Sequence, residues 1–494
     1  MVWPPRNGVK RNATETAGRA IKAERVAGVM VAQYAPPRQR QLSIHCGHCI
    51  LDDDCFIDGS MQDGPSRQLK RELGLGGATM MGLGSMVGTG VFVSIGIATG
   101  VAGPAVILAI VLAAAVATCN ALSSAQLAAS HAVSGGTYEY GYRYLNPTLG
   151  FTAGWMFLCA KTASAATAAL GFAGYSLRLL GNSLDAMPIL AIAAVAVFTL
   201  LVLGGIKRSS WANTIIVSVT LLALGSFVVV GLPTAISGSR ENLTPFFNST
   251  ANDELEAFLY STALMFVAFT GYARIATLGE EVKEPRRTIP RAIIVTLIVT
   301  ALLYISVAVV AISSVGADRF ANAPGAQATP LEMAARAMDA SLLARLIALG
   351  AITAMLGVLL NLILGLSRVA LAMGRQGDIP PVFGRVSSSG RSPPAAVIAV
   401  GILIAALASI GSVETTWAFS AFTVLVYYAI TNLAALRLPE EHRLYPKWIA
   451  ATGLAASLFL AFWVPVPIWL AGVGLIGLGL LWQRVLARLC RGWR

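Results

Sequence analysis

Long apolar runs separated by short polar connections constrain the fold of this chain more than any other feature. They begin at about residue 76, and each is long enough to cross a hydrocarbon core of about 30 Å as a helix. We place the runs at 76–98, 103–128, 149–176, 187–205, 212–232, 256–279, 291–314, 343–367, 394–411, 414–436, 448–465 and 467–484. Hydrophobic residues make up 56% of the 494 residues and charged residues only 12%, unlike a soluble protein. The sequence therefore predicts an all-α integral membrane protein with twelve transmembrane helices.

The positions of the basic residues predict the orientation of these helices. Lys and Arg collect in cytoplasmic loops, and here they are concentrated in every second connection, in the C-terminal tail and before the first run. We therefore expect a multi-pass protein of the cell membrane with both termini in the cytoplasm. The formal net charge of +12 is dispersed over these loops, so we predict contacts with anionic membrane lipid and no nucleic-acid partner.

Residues 1–70 differ in composition from the rest of the chain, and we predict a disordered cytoplasmic extension there. An alternative is that translation starts at Met61, shortly before the first apolar run. The segment 45–55 contains His and Cys residues that include one Cys-x-x-Cys pair. A single pair without a second spaced pair is a weak zinc signal, so we expect neither a metal ion nor a cofactor.

The first apolar run contains a glycine-rich stretch, residues 84–92, with Gly84, Gly88 and Gly90. Glycine is unfavourable inside a helix, so the backbone has several places here at which it can stop being helical. In a bilayer an unwound backbone is tolerated only where it is buried in protein or lines an aqueous cavity. The stretch therefore predicts a solute site near the middle of the membrane, and a transporter.

A second interrupted stretch, residues 266–274, lies in the sixth run. Residues 76–232 and 256–436 then form two groups of five runs that each open with an interrupted helix, as in inverted-repeat transporters. The amide end of a half-helix attracts a carboxylate, and freed carbonyls accept from an ammonium group, so paired breaks suit an amino acid. The predicted substrate-binding residues are Val87, Gly88, Thr89, Gly90, Phe269, Thr270, Gly271 and Tyr272. The alternative interpretation is close helix packing, because Gly84 and Gly88 also form a small-xxx-small pair.

Five motifs in order resemble those of the amino acid permeases of the amino acid-polyamine-organocation superfamily. They lie at 84–92, 134–140, 154–155, 269–272 with 280–291, and 367–380. The resemblance covers residues 71–490 and implies the LeuT-type fold, in which two inverted repeats of five helices precede two further helices, here within 448–484. It also implies alternating access to a central amino acid site.

The same resemblance implies roles for the residues of the two breaks. The segment 88–90 would meet the substrate carboxylate, and carbonyls around Phe269 and Thr270 would meet its amine. The aromatic ring of Phe269 or Tyr272 would cover the bound amino acid.

Two positions in the apolar runs bear on ion coupling. Lys161 lies near the middle of the third run, where a lysine is costly and marks a functional site by default. We predict that it cycles a proton; the alternative is that it only fixes helix contacts. Proton-coupled members that resemble this chain carry a lysine in the fifth run, at the position of Thr220. Either Lys161 has taken over that charge, or Thr220 helps to bind sodium, or transport is uncoupled exchange.

The charges also predict the substrate class. The middle of the runs contains no Asp or Glu, so a cationic side chain would meet Lys161 without a counter-ion. We therefore expect neutral amino acids, with a cationic amino acid or polyamine exchanger as the alternative. Asn361 is a further polar candidate for the cavity, or else an interhelical hydrogen-bonding residue. Arg274 is a candidate for a cytoplasmic gate with Glu280 or Glu281, or else for a static anchor of the loop.

An enzyme is not expected, because the few histidines lie in the N-terminal extension or in loops and no catalytic constellation can be assembled on the runs. An amino acid sensor on the same fold is the other alternative, because sensing and transport would share one binding site.

Overall fold

The computed structural model describes residues 73–131, 135–204, 210–247, 253–276, 282–322, 329–387 and 393–491. The expectations for the extension 1–70, for the segment 45–55 and for Glu280 and Glu281 lie outside these residues. The described residues form helices and no strand, with a single parallel bridge between Leu73 and Val282. The all-helical prediction is therefore confirmed.

The α-helices of the described residues follow one another with short connections. In chain order they are α1 (Leu75–Met86), α2 (Ile95–Ala102), α3 (Val106–Ser130), α4 (Thr137–Tyr144), α5 (Pro147–Leu179), α6 (Met187–Leu203), α7 (Ser210–Asn242), α8 (Glu254–Phe269), α9 (Ala273–Ala276), α10 (Pro285–Val315), α11 (Ala317–Asn322), α12 (Pro330–Ala337), α13 (Ser341–Gln376), α14 (Pro394–Ala408), α15 (Val413–Leu436), α16 (Lys447–Phe462) and α17 (Val466–Arg491). A π-helical segment occupies Gly90–Ser94, and 3₁₀ turns occupy Gly103–Ala105, Leu184–Ala186, Thr270–Tyr272, Pro381–Gly384 and Glu440–His442.

Nine helical stretches within the described residues are long and apolar enough to cross a membrane. The first of them, Leu75–Ser130, contains both of the first two predicted runs. Two shorter apolar helices, α14 and α16, coincide with the predicted runs at 394–411 and 448–465. The multi-pass membrane architecture follows from these helices, whereas the number of twelve spans and the inverted repeat stay predictions.

Burial separates the helices into a central group and a peripheral group. Most of the spans α5 and α15 are buried, whereas α6, α7 and α17 expose much of theirs, as expected of surfaces that face lipid. Small side chains on α5, among them Ala163, Ala166 and Ala169, are fully buried. Small residues let helix backbones approach closely in a membrane, so α5 can lie at the centre of the bundle.

A buried polar cluster connects α16 to two helices of the central bundle. Asn120 of α3 donates to Ser457 Oγ over 3.1 Å, and Asn432 of α15 donates to the amide oxygen of Asn120 and, over 2.9 Å, to the carbonyl of Tyr428. A Cβ on Gly453 would lie 2.7 Å from Asn432 Oδ1, so only glycine leaves room for this cluster. Interhelical amide bonds of this kind stabilise membrane bundles.

Two of the sequence motifs meet outside the spans, at the end of α13. Gly377 ends that helix with a φ of +81°, and the amide of Asp378 then donates to the carbonyl of Met373 over 2.9 Å. The Asp378 carboxylate accepts from Tyr138 over 2.7 Å and from Tyr142 over 2.7 and 2.8 Å, and both tyrosines lie on α4. The contact fixes α4 against the end of α13.

The Asp378 cluster gives a prediction about stability and pH. Burial raises the pKa of the Asp378 carboxyl above its ordinary value, although the bonds from Tyr142 and Tyr138 oppose this shift. The folded state therefore holds this proton more tightly than the unfolded chain does. The contribution to stability is complete below the ordinary pKa and is lost as the pH rises through the raised value.

We therefore expect the melting temperature of Asp378→Asn, relative to the unsubstituted protein, to rise between pH 4 and pH 7. The asparagine keeps an oxygen that accepts from the tyrosines but has no charge to bury. Thermal unfolding of both proteins in the same detergent checks this, because the pH effects of other groups cancel in the difference. A difference that stays constant with pH would contradict the assignment.

Candidate functional site

The first break separates α1 from the π-helical segment. Val87 follows the last residue of α1 with an extended conformation, φ −81° and ψ 90°, and its amide caps the helix by donating to Leu83 over 2.7 Å. Helical bonding resumes when the amides of Val91 and Phe92 both donate to the carbonyl of Gly88, each over 3.1 Å. The interruption predicted for residues 84–92 is therefore present, at Val87 and Gly88.

The second break lies in the sixth predicted run. The α-helix α8 ends at Phe269, residues Thr270–Tyr272 form a 3₁₀ turn, and α9 continues to Ala276. The amide of Thr270 caps α8 by donating to the carbonyl of Val267. The change of helix type reorients the residues that follow, because successive side chains in a 3₁₀ helix turn by a larger angle than in an α-helix.

The two breaks are in direct contact, and glycine makes the contact possible. A Cβ on Gly271 would lie 2.5 Å from the carbonyl carbon of Ser85 and 2.5 Å from Met86 Cγ. A Cβ on Gly90 would lie 2.7 Å from the Cβ of Ala268. Real Cβ atoms do not approach other atoms so closely, so these two positions admit only glycine with the present backbone.

Two tyrosine hydroxyls from other helices satisfy carbonyl groups at the breaks. Tyr304 of α10 donates to the carbonyl of Met86 over 2.6 Å and also lies 3.4 Å from the carbonyl of Ala268. Tyr428 of α15 donates to the carbonyl of Thr270 over 3.2 Å. The sequence reasoning missed both tyrosines. Their signal was a phenolic hydroxyl inside an apolar run, which needs a polar partner when it is buried.

A cavity of about 370 Å³ lies beside the two breaks. Several predicted site residues line it, and they are Thr89, Gly90, Lys161, Thr270, Gly271, Arg274 and Asn361. The structure thus brings together residues from the first, third, sixth and eighth predicted runs. Aromatic side chains of the wall come from Phe157, Trp417 and Tyr427.

Other predicted site residues are not among the lining residues that the structure describes, and they are Val87, Gly88, Thr220, Phe269 and Tyr272. The ring of Phe269 packs against that of Tyr304, with centroids 5.2 Å apart, and the ring of Tyr272 packs against that of Tyr428 at 5.4 Å. Both rings are fully buried in the core. The aromatic cover expected from one of them stays a prediction.

Gly88 and Thr220 also make contacts away from the cavity. A Cβ on Gly88 would lie 2.7 Å from Val358 Cγ2, so this glycine serves the close packing of the first break on α13. The hydroxyl of Thr220 donates to the carbonyl of Ile216 in its own helix, over 2.8 Å. Neither contact directs these residues to a ligand.

Lys161 reaches the second break from α5. Its Nζ donates to Thr270 Oγ1 over 2.8 Å, and Thr270 Oγ1 in turn donates to the carbonyl of Val267 over 2.7 Å. The side chain is only 7% exposed. The lysine is therefore buried within the bundle, and the partner of its ammonium group is the broken helix itself.

Polar groups from two further positions reach the first break and the cavity. Asn361 donates to Ser85 Oγ over 3.4 Å, so it both lines the cavity and connects α13 with α1. The hydroxyl of Thr89 is buried and has no hydrogen-bond partner among the described residues. A buried hydroxyl without a partner is costly, and the residue that carries it lines the cavity.

The charges of the cavity wall have one sign. The basic residues that line it are Lys161, Arg274, Arg368 and Arg375, and no acidic residue is among the described lining residues. The charge favours a ligand with a carboxylate and disfavours one with a surplus of positive charge.

The chain matches known proteins over most of its length. The family model for amino acid permeases matches residues 77–486. An uncharacterized transporter of Mycobacterium tuberculosis is 39% identical over 412 residues, which cover 83% of this chain and 90% of that protein. A branched-chain amino acid permease of Bacillus subtilis is 27% identical over 406 residues, which cover 78% of this chain and 85% of that protein.

A third relative carries a different substrate in its name. It is a vacuolar cationic amino acid transporter of Arabidopsis thaliana, 28% identical over 396 residues that cover 74% of this chain and 64% of that protein. The family and the relatives are transporters rather than enzymes. The resemblance first seen in the motifs is confirmed, and the chain belongs to the amino acid permease family of the amino acid-polyamine-organocation superfamily.

Proposed function

We propose that this transporter moves neutral amino acids across the cell membrane by alternating access. The observation that carries the proposal is the charge of the cavity beside the two broken helices. Lys161, Arg368 and Arg375 line it, and no acidic residue is among the described lining residues. Two unit charges 4 Å apart interact by about 4 kcal/mol at an effective dielectric constant of 20. A substrate whose cationic side chain came this close to the buried Lys161 would meet repulsion of this order.

The first break supplies the means to hold the substrate carboxylate. Thr89 and Gly90 line the cavity, and the Thr89 hydroxyl has no partner among the described residues. Backbone amides at the start of a helical segment attract an anion, and the arginines of the wall add to the attraction. These groups form the proposed carboxylate subsite.

The second break supplies the proposed amine subsite, around Thr270 and Gly271. The relatives alone do not distinguish a neutral from a cationic substrate, because one is named for branched-chain and another for cationic amino acids. The single sign of charge in the cavity favours the neutral class.

The extent of the cavity supports alternating access. It continues from the breaks to Arg368 and Arg375 near the end of α13 and to Gly135 and Gly136 before α4. The predicted orientation puts this end of the bundle in the cytoplasm, with both termini on the same side. We therefore assign the structure to an inward-facing state, in which the central site communicates with the cytoplasm.

Three alternatives were open for ion coupling: a proton carried by Lys161, sodium bound with help from Thr220, or uncoupled exchange. The contact of Lys161 with the second break supports proton coupling through this lysine. The bond of Thr220 within its own helix gives no support to a sodium site there. Uptake driven by a pH gradient, compared between the unsubstituted protein and Lys161→Gln, tests the proton assignment; unchanged uptake would reject it.

Ligand-dependent thermal stabilisation of the purified protein tests the substrate class. A ligand that binds the folded state raises the melting temperature by mass action. At 100 times its dissociation constant it adds about 2.7 kcal/mol to the free energy of unfolding. We expect stabilisation by one or more neutral L-amino acids and none by L-arginine, L-lysine or putrescine at equal concentration. Stabilisation by the cationic compounds alone would overturn the neutral assignment.

A further inference from the structure

The amine subsite of the proposed function already contains an ammonium group from the protein. Lys161 Nζ lies 2.8 Å from Thr270 Oγ1, at the second break. A lysine side chain ends in the same primary ammonium group as an amino acid substrate. It therefore presents the same charge and the same three N–H donors to this part of the site.

The other polar atoms around Thr270 are engaged by the protein as well. The Thr270 carbonyl accepts from Tyr428 over 3.2 Å, and the Thr270 hydroxyl donates to the carbonyl of Val267 over 2.7 Å. The hydroxyl oxygen is thus the acceptor that the Lys161 ammonium occupies. A substrate amine that came to the same atom would displace the lysine from it.

The ammonium groups of Lys161 and of the substrate repel each other too strongly for both to stay at Thr270. The cavity wall adds the positive charges of Arg368 and Arg375, and no described lining residue is acidic. Two cations at hydrogen-bond distance from one hydroxyl oxygen would repel each other in a buried site where solvent screens them poorly.

We propose that Lys161 occupies the amine subsite of the empty transporter and leaves Thr270 when an amino acid binds. The inference rests on the proposed function, because it takes the second break as the amine subsite. It goes beyond that function by giving the empty protein its own substitute for the substrate ammonium. The second break is then hydrogen-bonded in the absence of substrate, so the hydroxyl and the carbonyl of Thr270 both have partners in the empty site.

One consequence distinguishes two kinds of ligand. An amino acid has to displace Lys161, so the lysine weakens its binding. The corresponding carboxylic acid without the amine leaves Lys161 in place and gains the attraction of its charge. Removal of the ammonium should therefore change the affinities for the two ligands in opposite directions.

Matched ligand pairs test this with the full-length protein in detergent. The pairs are L-alanine and propionate, L-leucine and 4-methylpentanoate, and L-phenylalanine and 3-phenylpropionate. Dissociation constants are measured by isothermal titration for the unsubstituted protein, Lys161→Met and Lys161→Arg. Methionine keeps the length of the side chain without its charge, and arginine keeps the charge as a matched control.

For Lys161→Met we expect about tenfold tighter binding of the amino acid and about tenfold weaker binding of its carboxylic acid partner. Lys161→Arg should keep the preference order of the unsubstituted protein. If Lys161→Met does not fold, Lys161→Gln provides the same comparison with a neutral polar side chain.

The outcomes separate this inference from the proposed function. Amino acid binding that is unchanged or weaker in the neutral variants would overturn the displacement of Lys161 and leave amino acid binding intact. The displacement of Lys161 would also be overturned if the dissociation constants of both members of a pair changed in the same direction. Absence of binding of every amino acid, neutral or not, to every protein would overturn the proposed function, and the inference with it.

Discussion

Replacement of Gly271 by alanine should reduce the rate of amino acid uptake by up to about a hundredfold, because the two broken helices can no longer touch. The added Cβ would lie 2.5 Å from both the Ser85 carbonyl carbon and Met86 Cγ. Overpacking of this kind costs about 1–3 kcal/mol, and a loss of about 2.7 kcal/mol at the transition state corresponds to a hundredfold in rate. Backbone atoms form part of the obstacle, so relief requires the first break to move away.

Gly225→Ala is the matched control for this experiment. Gly225 lies in the membrane helix α7, and a Cβ there would meet no atom within 4 Å. We expect its uptake rate in proteoliposomes to stay within about twofold of the unsubstituted protein, because an unhindered alanine favours a helix over glycine. Both variants are compared at equal amounts of monodisperse protein. Equal uptake by the two variants would show that the contact between the breaks is dispensable.

Tyr304→Phe should raise the KM for uptake about tenfold to thirtyfold, the second largest effect that we expect. The change removes only the hydroxyl, which donates to the carbonyl of Met86 over 2.6 Å and lies 3.4 Å from that of Ala268. A buried carbonyl left without a partner costs about 1–3 kcal/mol. The ring of Tyr304 also packs on Phe269 and is retained, so the core stays filled.

Tyr260→Phe provides the control for the loss of a hydroxyl. Tyr260 is half-buried in α8, and its hydroxyl has no hydrogen bond among the described residues. Its KM should stay within about twofold of the unsubstituted value. If Tyr304→Phe changes thermal stability but leaves the KM unchanged, the hydroxyl holds helices together without shaping the site.

The sequence was sufficient to predict the class of fold and the location of the breaks. A long apolar run satisfies its backbone hydrogen bonds in a bilayer by forming an α-helix, and the described residues of these runs are helical. Glycines grouped within 84–92 and 266–274 mark the places where helical bonding stops. Pairing of these breaks in two halves of the chain pointed to Thr89, Gly90, Thr270 and Gly271, and all four line one cavity.

The orientation of individual side chains at the breaks was less predictable. Phe269 ends α8 and Tyr272 ends the 3₁₀ turn, so their directions depend on where the helix type changes. A residue pattern does not fix that position to within one residue. Both rings pack into the core, and the expectation that one of them covers the ligand stays a prediction.

The sequence alone could not predict which residues far apart in the chain are joined by hydrogen bonds. Tyr304 bonds to Met86 across 218 positions and Lys161 to Thr270 across 109 positions. The depth of Lys161 in its run predicted a role at the centre of the membrane, but only the packing of α5 against the second break identifies its acceptor. A Cβ on Gly88 would meet Val358 of α13, which is the kind of helix contact that the alternative interpretation of the glycine-rich stretch expected.

Uptake of radiolabelled amino acids into proteoliposomes that contain only the purified protein tests the central claim most directly. The measurement compares neutral L-amino acids with L-arginine and putrescine under identical ion gradients. We predict time-dependent accumulation of a neutral amino acid at an initial rate at least about tenfold above that of either cationic compound, from the repulsion in the cavity. Faster uptake of arginine or putrescine, or binding of neutral amino acids without any uptake or exchange, would contradict a neutral amino acid transporter.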